Sequence, residues 1–266
     1  MLSHIGSDME NINYLDTDGK TTTYLNSLKA RGINVIGLDT EGEFNLHHYG
    51  EHLCLVQIYD GKEFAVIDSL KVSKGILGQL FENPRILKIM YDGSGDRTLI
   101  FRKYGLNLNA ILDLLPAAVL LDYPKRDLSS VIDTALGKSE SGKSSFQRYD
   151  WMRRPIDSRA IGYAIDDVRY LFELKEALLA AVIEQGLLDA FILRNIELQI
   201  RPVDPKPLPG IFKKETYRRL NAEGKARFAE LHSIRDGFAK DMDLPPNSVV
   251  PNGDLFDLSG NTKGVS

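Results

Sequence analysis

The sequence predicts an α/β fold, a mixed β-sheet flanked by helices, and three observations carry that prediction. Short β-rich segments bounded by Gly, Asp or Asn recur in the first half of the chain. The dipeptide Asp60-Gly61 joins two of them with a strong hairpin signal. Stretches with apolar residues at helical spacing then alternate with further strand-like segments, the pattern of a sheet covered by helices.

Taken in order, Val35-Ile-Gly-Leu-Asp39, Leu53-Cys-Leu-Val-Gln-Ile-Tyr59 and Glu63-Phe-Ala-Val-Ile67 read as strands. Ile86-Leu-Lys-Ile-Met-Tyr91 reads as another, ended by Asp92-Gly93-Ser94-Gly95. Helices are predicted over 96–104, 128–136 and 159–185. The last of these has Ile161, Ala164, Ile165, Val168, Leu171, Phe172 and Leu178 at helical spacing. Residues 201–210 carry four prolines and are incompatible with a helix interior, so they form a semi-rigid linker. A charged helix over 223–241 and a short one over 254–258 follow. The chain is thus expected to comprise a main domain over 1–200, a linker over 201–214 and a small helical segment over 215–266.

The 266 residues include 33 Lys+Arg and 37 Asp+Glu, a net charge of −4, with 43% hydrophobic and 26% charged residues. That composition excludes a disordered chain, a collagen-like fibre and a disulfide scaffold. It also argues against a protein that coats DNA through a global positive field, though not against an enzyme with clustered carboxylates. The single cysteine, Cys54, suits a reducing compartment. The first eleven residues include Asp8 and Glu10 and lack the basic start and apolar run of a signal peptide. The most apolar stretch, 111–121, contains Asp113 and Pro116 and is too short to span a bilayer. A soluble, cytoplasmic protein without a membrane partner is expected.

The chemistry lies in the carboxylates. Asp39 and Glu41 sit at the end of a strand, two residues apart, and so share one face. Paired carboxylates repel, and a hard divalent cation supplies a reason to keep them together. Asp96 follows a strand and a Gly-rich turn and opens a helix, where the dipole favours an acid. Tyr163 and Asp167 are four apart on a predicted helix and project together. A phenol one turn from a metal-bound carboxylate can orient a water whose pKa the metal lowers. Each element alone is common; their conjunction, in this order and in matching secondary structure, is not.

Together they resemble the DEDD superfamily of 3′–5′ exonucleases, in the DEDDy subclass whose last motif carries tyrosine. Flanking residues are similar to those of the ribonuclease D-like family: Gly37-Leu-Asp-Thr-Glu41 with Leu53-Cys-Leu-Val-Gln-Ile58, then Lys88-Ile-Met-Tyr-Asp-Gly-Ser-Gly-Asp96, then Asp150-Trp-Met-Arg-Arg-Pro-Ile156 followed by Tyr163-Ala-Ile-Asp-Asp-Val-Arg-Tyr-Leu171. The resemblance implies a ribonuclease H-like fold and two divalent cations, Mg²⁺ or Mn²⁺, held by Asp39, Glu41, Asp96 and Asp167. One ion would activate the water that Tyr163 orients, and both would stabilise charge on the scissile phosphate. The expected activity is release of nucleoside 5′-monophosphates from the 3′ end of single-stranded RNA. The alternatives are an exonuclease on DNA or short oligonucleotides, or an inactive nucleic-acid-binding protein; the oligomeric state is open.

Between residues 138 and 159 six basic residues face three acidic ones, with Phe146, Tyr149 and Trp151 interleaved, a mixture suited to gripping phosphates and stacking bases. Substrate contact is assigned to Lys143, Arg148 and Arg153, joined by His48 from the loop that leaves the first metal strand. Gly137-Lys-Ser-Glu-Ser-Gly-Lys-Ser144 matches a P-loop letter for letter. It follows a predicted helix rather than a strand and precedes no helical pattern, so no ATP site is expected. Residues from Ala226 to Lys240, with 244–250 and 254–256, resemble the first half of a helicase-and-RNase-D C-terminal (HRDC) domain.

Overall fold

A computed structural model describes residues 12–138, 146 and 148–260. Among these the chain divides into two compact units, one of residues 12–42 and 53–203, the other of residues 43–52 and 204–260.

The first unit is the predicted mixed sheet flanked by helices. Its strands are β1 (Ile12–Leu15), β2 (Val35–Phe44), β3 (Glu51–Tyr59), β4 (Phe64–Asp68), β5 (Leu87–Met90) and β6 (Ile111–Asp113), in the order β1-β4-β3-β2-β5-β6. β3 and β4 form the antiparallel hairpin that Asp60-Gly61 predicts, with Gly61 at φ 89°, while β1 with β4, β2 with β5 and β5 with β6 run parallel. The helices are α1 (Asp18–Ala30), α2 (Lys74–Phe81), α3 (Ser94–Tyr104), α4 (Leu115–Leu120), α5 (Leu128–Leu136), α6 (Ser158–Arg169), α7 (Leu171–Glu184) and α8 (Leu188–Ile200).

Alternation along the strands sorts the core into two layers. Ile36, Leu38, Val56, Ile58, Ala65 and Ile67 pack with Leu28, Leu77, Leu80 and Leu99 of α1, α2 and α3. On the opposite face Leu55 and Val66 pack with Ala160, Ala164 and Ile165 of α6, and Ile89 with Leu171, Leu174 and Leu178 of α7. The helix starts follow the sequence. Asp127 caps α5 by accepting from Ser130 N at 3.0 Å, and Asp157 caps α6 by accepting from Arg159 N at 2.8 Å.

Two sequence expectations change. Strand β2 runs on to Phe44, so Asp39 and Glu41 lie inside it rather than at its end. The helix predicted over 159–185 is two helices, separated at Tyr170. The break falls where the chain meets β2: a Cβ on Gly37 would sit 3.4 Å from the carbonyl oxygen of Val168 and from Leu171. Arg154, one of the six basic residues of the 138–159 stretch, turns to the sheet. Its guanidinium clasps the buried Asp68 of β4 with Nε–Oδ2 at 2.8 Å and Nη2–Oδ1 at 2.7 Å, and donates to the carbonyls of Trp151 (2.6 Å) and Cys54 (3.1 Å). Tyr14 donates to the same carboxylate at 3.0 Å. Gly137 closes α5 in the left-handed conformation, so the P-loop-like segment does follow a helix; its residues 139–145, Lys143 among them, lie outside the described residues.

In the second unit, Ile211, Phe228 and Leu255 form a small core with Phe212, Tyr217 and Phe256. Its helices are α9 (Glu215–Arg218), α10 (Ala222–Met242), α11 (Pro246–Val249) and α12 (Asn252–Gly260). Arg235 ties them together by donating to the carbonyl of Val250 (3.0 Å) and to Asn252 Oδ1 (2.8 Å). No described helix is long and apolar enough to cross a membrane.

The Asp68 side chain is fully buried and that of Arg154 is 18% exposed, so removing one partner strands the other. Arg154→Ala is expected to lower the unfolding free energy by about 3 kcal/mol in urea titrations. A drop below about 1 kcal/mol would show that the clasp does not hold the 146–157 segment to the sheet.

Candidate active site

β2 and α6 meet at one face of the sheet. β2 delivers Asp39 and Glu41 on the side of Gly37, the side that meets α6 and α7. The close approach at Gly37 brings the last turn of α6, and with it Asp167, against the strand. The carboxylate oxygens of Asp39, Glu41 and Asp167 then lie within 4.8 Å of one another, and all three residues are half-buried.

Asp96, in the first turn of α3, stands outside that trio. Its carboxylate accepts a hydrogen bond from the Thr40 hydroxyl, on the residue between Asp39 and Glu41. The turn that precedes it is built by Asp113 at the end of β6, which accepts from the backbone N–H of Asp92, Gly93 and Leu115, each at 2.9 Å. Asn195 of α8 in turn accepts from Asp113 N at 2.7 Å. Neither Asp113 nor Asn195 stands out in the sequence. The one signal there is an aspartate closing a strand before Leu-Leu-Pro, a pattern shared by many loops.

Electrostatics follow the crowding. Burial, then repulsion from Asp96, Asp167 and Glu41, raises the Asp39 carboxyl well above the ordinary range. Burial pushes Asp96 up to about 6, against the opposing hydrogen bond from Thr40. Such a group resists ionisation unless positive charge arrives. Half-buried, oxygen-only and mutually repelling, it fits a hard divalent cation, which takes carboxylate ligands and gains most where like charges are crowded.

Tyr163 lies one helical turn before Asp167 on α6 and is half-buried. Its ring is held by Trp151, stacked at 6.2 Å between centroids, and by Phe146 at 5.7 Å. Trp151 is buried and Tyr149 packs edge-on against it at 4.9 Å. The aromatic residues of this segment therefore pack Tyr163 in place. Arg148 and Arg153 are exposed on the same segment. His48 belongs to the second unit, where its Nδ1 lies 2.8 Å from Asp243 Oδ2 and the neighbouring Tyr49 hydroxyl donates to Asp236 at 2.7 Å.

The description "3′–5′ exonuclease" belongs to a family model that matches residues 12–183. Ribonuclease D of Sphingobium indicum is 29% identical over 258 residues, covering 93% of this chain and 64% of that protein. The chain thus spans less than two thirds of the length of that relative. Among solved structures, the catalytic core of RRP6 from Trypanosoma brucei superposes with a TM-score of 0.78 at 19% identity, covering 93% of this chain and 69% of that one. Escherichia coli RNase D superposes with a TM-score of 0.74 at 24% identity, covering 96% and 68%. These likenesses show the ribonuclease H-like exonuclease fold.

The raised carboxyls give a stability signature. A carboxyl whose folded-state pKa exceeds its unfolded value contributes stability below the unfolded pKa, and this is lost as pH rises through the folded pKa, here from about 4 to about 6 for Asp96. Asp39→Asn is therefore expected to raise the melting temperature of the metal-free protein by a few degrees at pH 7. The gain should vanish as pH falls toward 4, where Asp39 in the parent is itself protonated. A variant that melts lower than its parent at pH 7 would contradict the crowding of these carboxylates.

Proposed function

The chain belongs to the 3′–5′ exonuclease family, and we propose that it is a metal-dependent exoribonuclease that shortens single-stranded RNA from its 3′ end. The observation that carries this reading is the meeting of Asp39, Glu41 and Asp167 within 4.8 Å, one helical turn from Tyr163. Asp39, Glu41, Asp96 and Asp167 would hold two divalent cations, Mg²⁺ or Mn²⁺. When bound, these supply a water of lowered pKa and neutralise charge on the scissile phosphate.

The chain's own residues do the rest. The Tyr163 phenol, seated by Trp151 and Phe146, orients the attacking water by hydrogen bonding. The Thr40 hydroxyl fixes Asp96 in the rotamer its role requires. Water adds to phosphorus, the bond to the 3′ oxygen breaks, and a nucleoside 5′-monophosphate leaves while the shortened strand keeps its 3′ hydroxyl. Arg148 and Arg153, with Lys143, are assigned contact with the backbone phosphates, and His48 is assigned to substrate binding with them. RNA is favoured over DNA because the similar proteins carry the names Ribonuclease D and RRP6. Cytoplasmic RNA processing is the proposed setting, with the 215–266 segment acting as an HRDC-like aid to binding beyond the 201–214 linker.

Incubation of 5′-labelled single-stranded RNA with Mg²⁺ is expected to give a ladder shortened from the 3′ end, abolished by chelator. Asp167→Ala should slow it by at least about 10³-fold. Undiminished turnover in that variant would sink the assignment. Replacing Arg148 and Arg153 with Ala should flatten the slope of log affinity against log salt by about 0.7 for each phosphate that is no longer neutralised. An unchanged slope would return both arginines to the solvated surface.

A further inference from the structure

Gln57 lies within β3 and is fully buried, and among the described residues neither the nitrogen nor the oxygen of its amide has a hydrogen-bond partner. Buried amides in folded proteins are satisfied by protein groups or by ordered water in the great majority of cases. The surroundings of this one narrow the choice. Gln57 stands opposite Val66 in the β3–β4 ladder, and residues opposite one another in an antiparallel pair share a face. Val66 and Leu55 on that face pack against Ala164 and Ile165 of α6, so Gln57 points toward α6.

Asp39 and Glu41 are on β2, the neighbouring strand, and occupy the same face, since Gly37 meets Val168 and Leu171 there. The unpaired amide and the carboxylate cluster thus share one layer, between the centre of the sheet and the helix that carries Tyr163 and Asp167. Their chemistry is complementary: an amide brings two N–H donors, whereas ionised carboxylates bring only acceptors. Adjacent strands lie about 5 Å apart, so side chains on one face of neighbouring strands come within reach of one another, directly or through one water.

We propose that Gln57 is a positioning residue of the carboxylate cluster, its amide NH₂ donating through an ordered water to the carboxylate of Asp39 and fixing the orientation in which that carboxylate receives a cation. Gln57 is sealed from solvent, so it acts through the cluster rather than on RNA. Its role rests on the metal-site reading of the cluster, and it follows from the pattern seen around metal sites, where groups behind the ligands set ligand orientation.

The test compares Gln57→Leu and Gln57→Met with the parent in the full chain. Three quantities are read: metal-free melting temperature, Mn²⁺ affinity by calorimetry with the ion alone, and kcat and KM on single-stranded RNA. Both variants replace an amide that no described protein group satisfies with an apolar group of similar size, so melting close to the parent is expected. Mn²⁺ affinity should fall about 10-fold, and kcat should fall with KM unchanged. Should the branched Leu misfit and melt low, the unbranched Met decides. A variant that melts like the parent and keeps Mn²⁺ affinity and kcat within about twofold overturns the role of Gln57, as does a fall in affinity that tracks a lower melting temperature in both variants. A parent that binds no Mn²⁺ overturns the underlying metal site instead.

Discussion

The site depends on how closely one helix lies against one strand. Where the α6–α7 junction meets β2, the strand carries Gly37, and the Val168 carbonyl and Leu171 pack so close that a Cβ there would already be in van der Waals contact with both, at 3.4 Å. Asp39 is two residues further along β2 and Asp167 one residue before Val168. The close packing and the carboxylate cluster are therefore a single feature. Hydrophobic packing of α6 and α7 on the sheet opposes the repulsion that the cluster creates.

The buried acids show how unusual that cluster is. Asp68 is surrounded by donors: burial works to raise its pKa, and Arg154 and Tyr14 outweigh it, holding the carboxyl below its ordinary value. Asp113 has three backbone N–H groups to accept from. Both are architectural, one fastening the 146–157 segment to the sheet and the other shaping the turn before Asp96. Burial raises Asp113 despite those donors; Asp39 differs in that carboxylates surround it and add to the rise that burial causes. Strain of this kind, kept by a fold that elsewhere satisfies its acids, is what a site prepared for positive charge requires.

Much of this was legible in the sequence. The shared face of Asp39 and Glu41, and the four-residue spacing of Tyr163 and Asp167, follow from the periods of strand and helix, and α5 occupies the residues its pattern predicts. What escaped has physical reasons. Helix α1 buries Thr21, Tyr24 and Leu28, so one of its core positions is polar, and its first turn contains Gly19. Helix α8 leaves Ile192, Leu193, Ile196 and Ile200 exposed, which blurs the stripe that marks a helix. The break at Tyr170 falls where the helices pack on β2 and leaves no trace in the local pattern. Arg154 carries the same letter as its exposed neighbour Arg153, and only the fold brings it to Asp68. The net charge of −4 was the poorest guide, because a total says nothing of where charges of either sign gather.

The chemistry assigned to the cluster is read most directly from the released product. Single-stranded RNA digested with Mg²⁺ in H₂¹⁸O, and analysed by mass spectrometry, should yield nucleoside 5′-monophosphates carrying one ¹⁸O on phosphorus. Products ending in a 3′-phosphate or a 2′,3′-cyclic phosphate, or release that persists in chelator, would contradict the account.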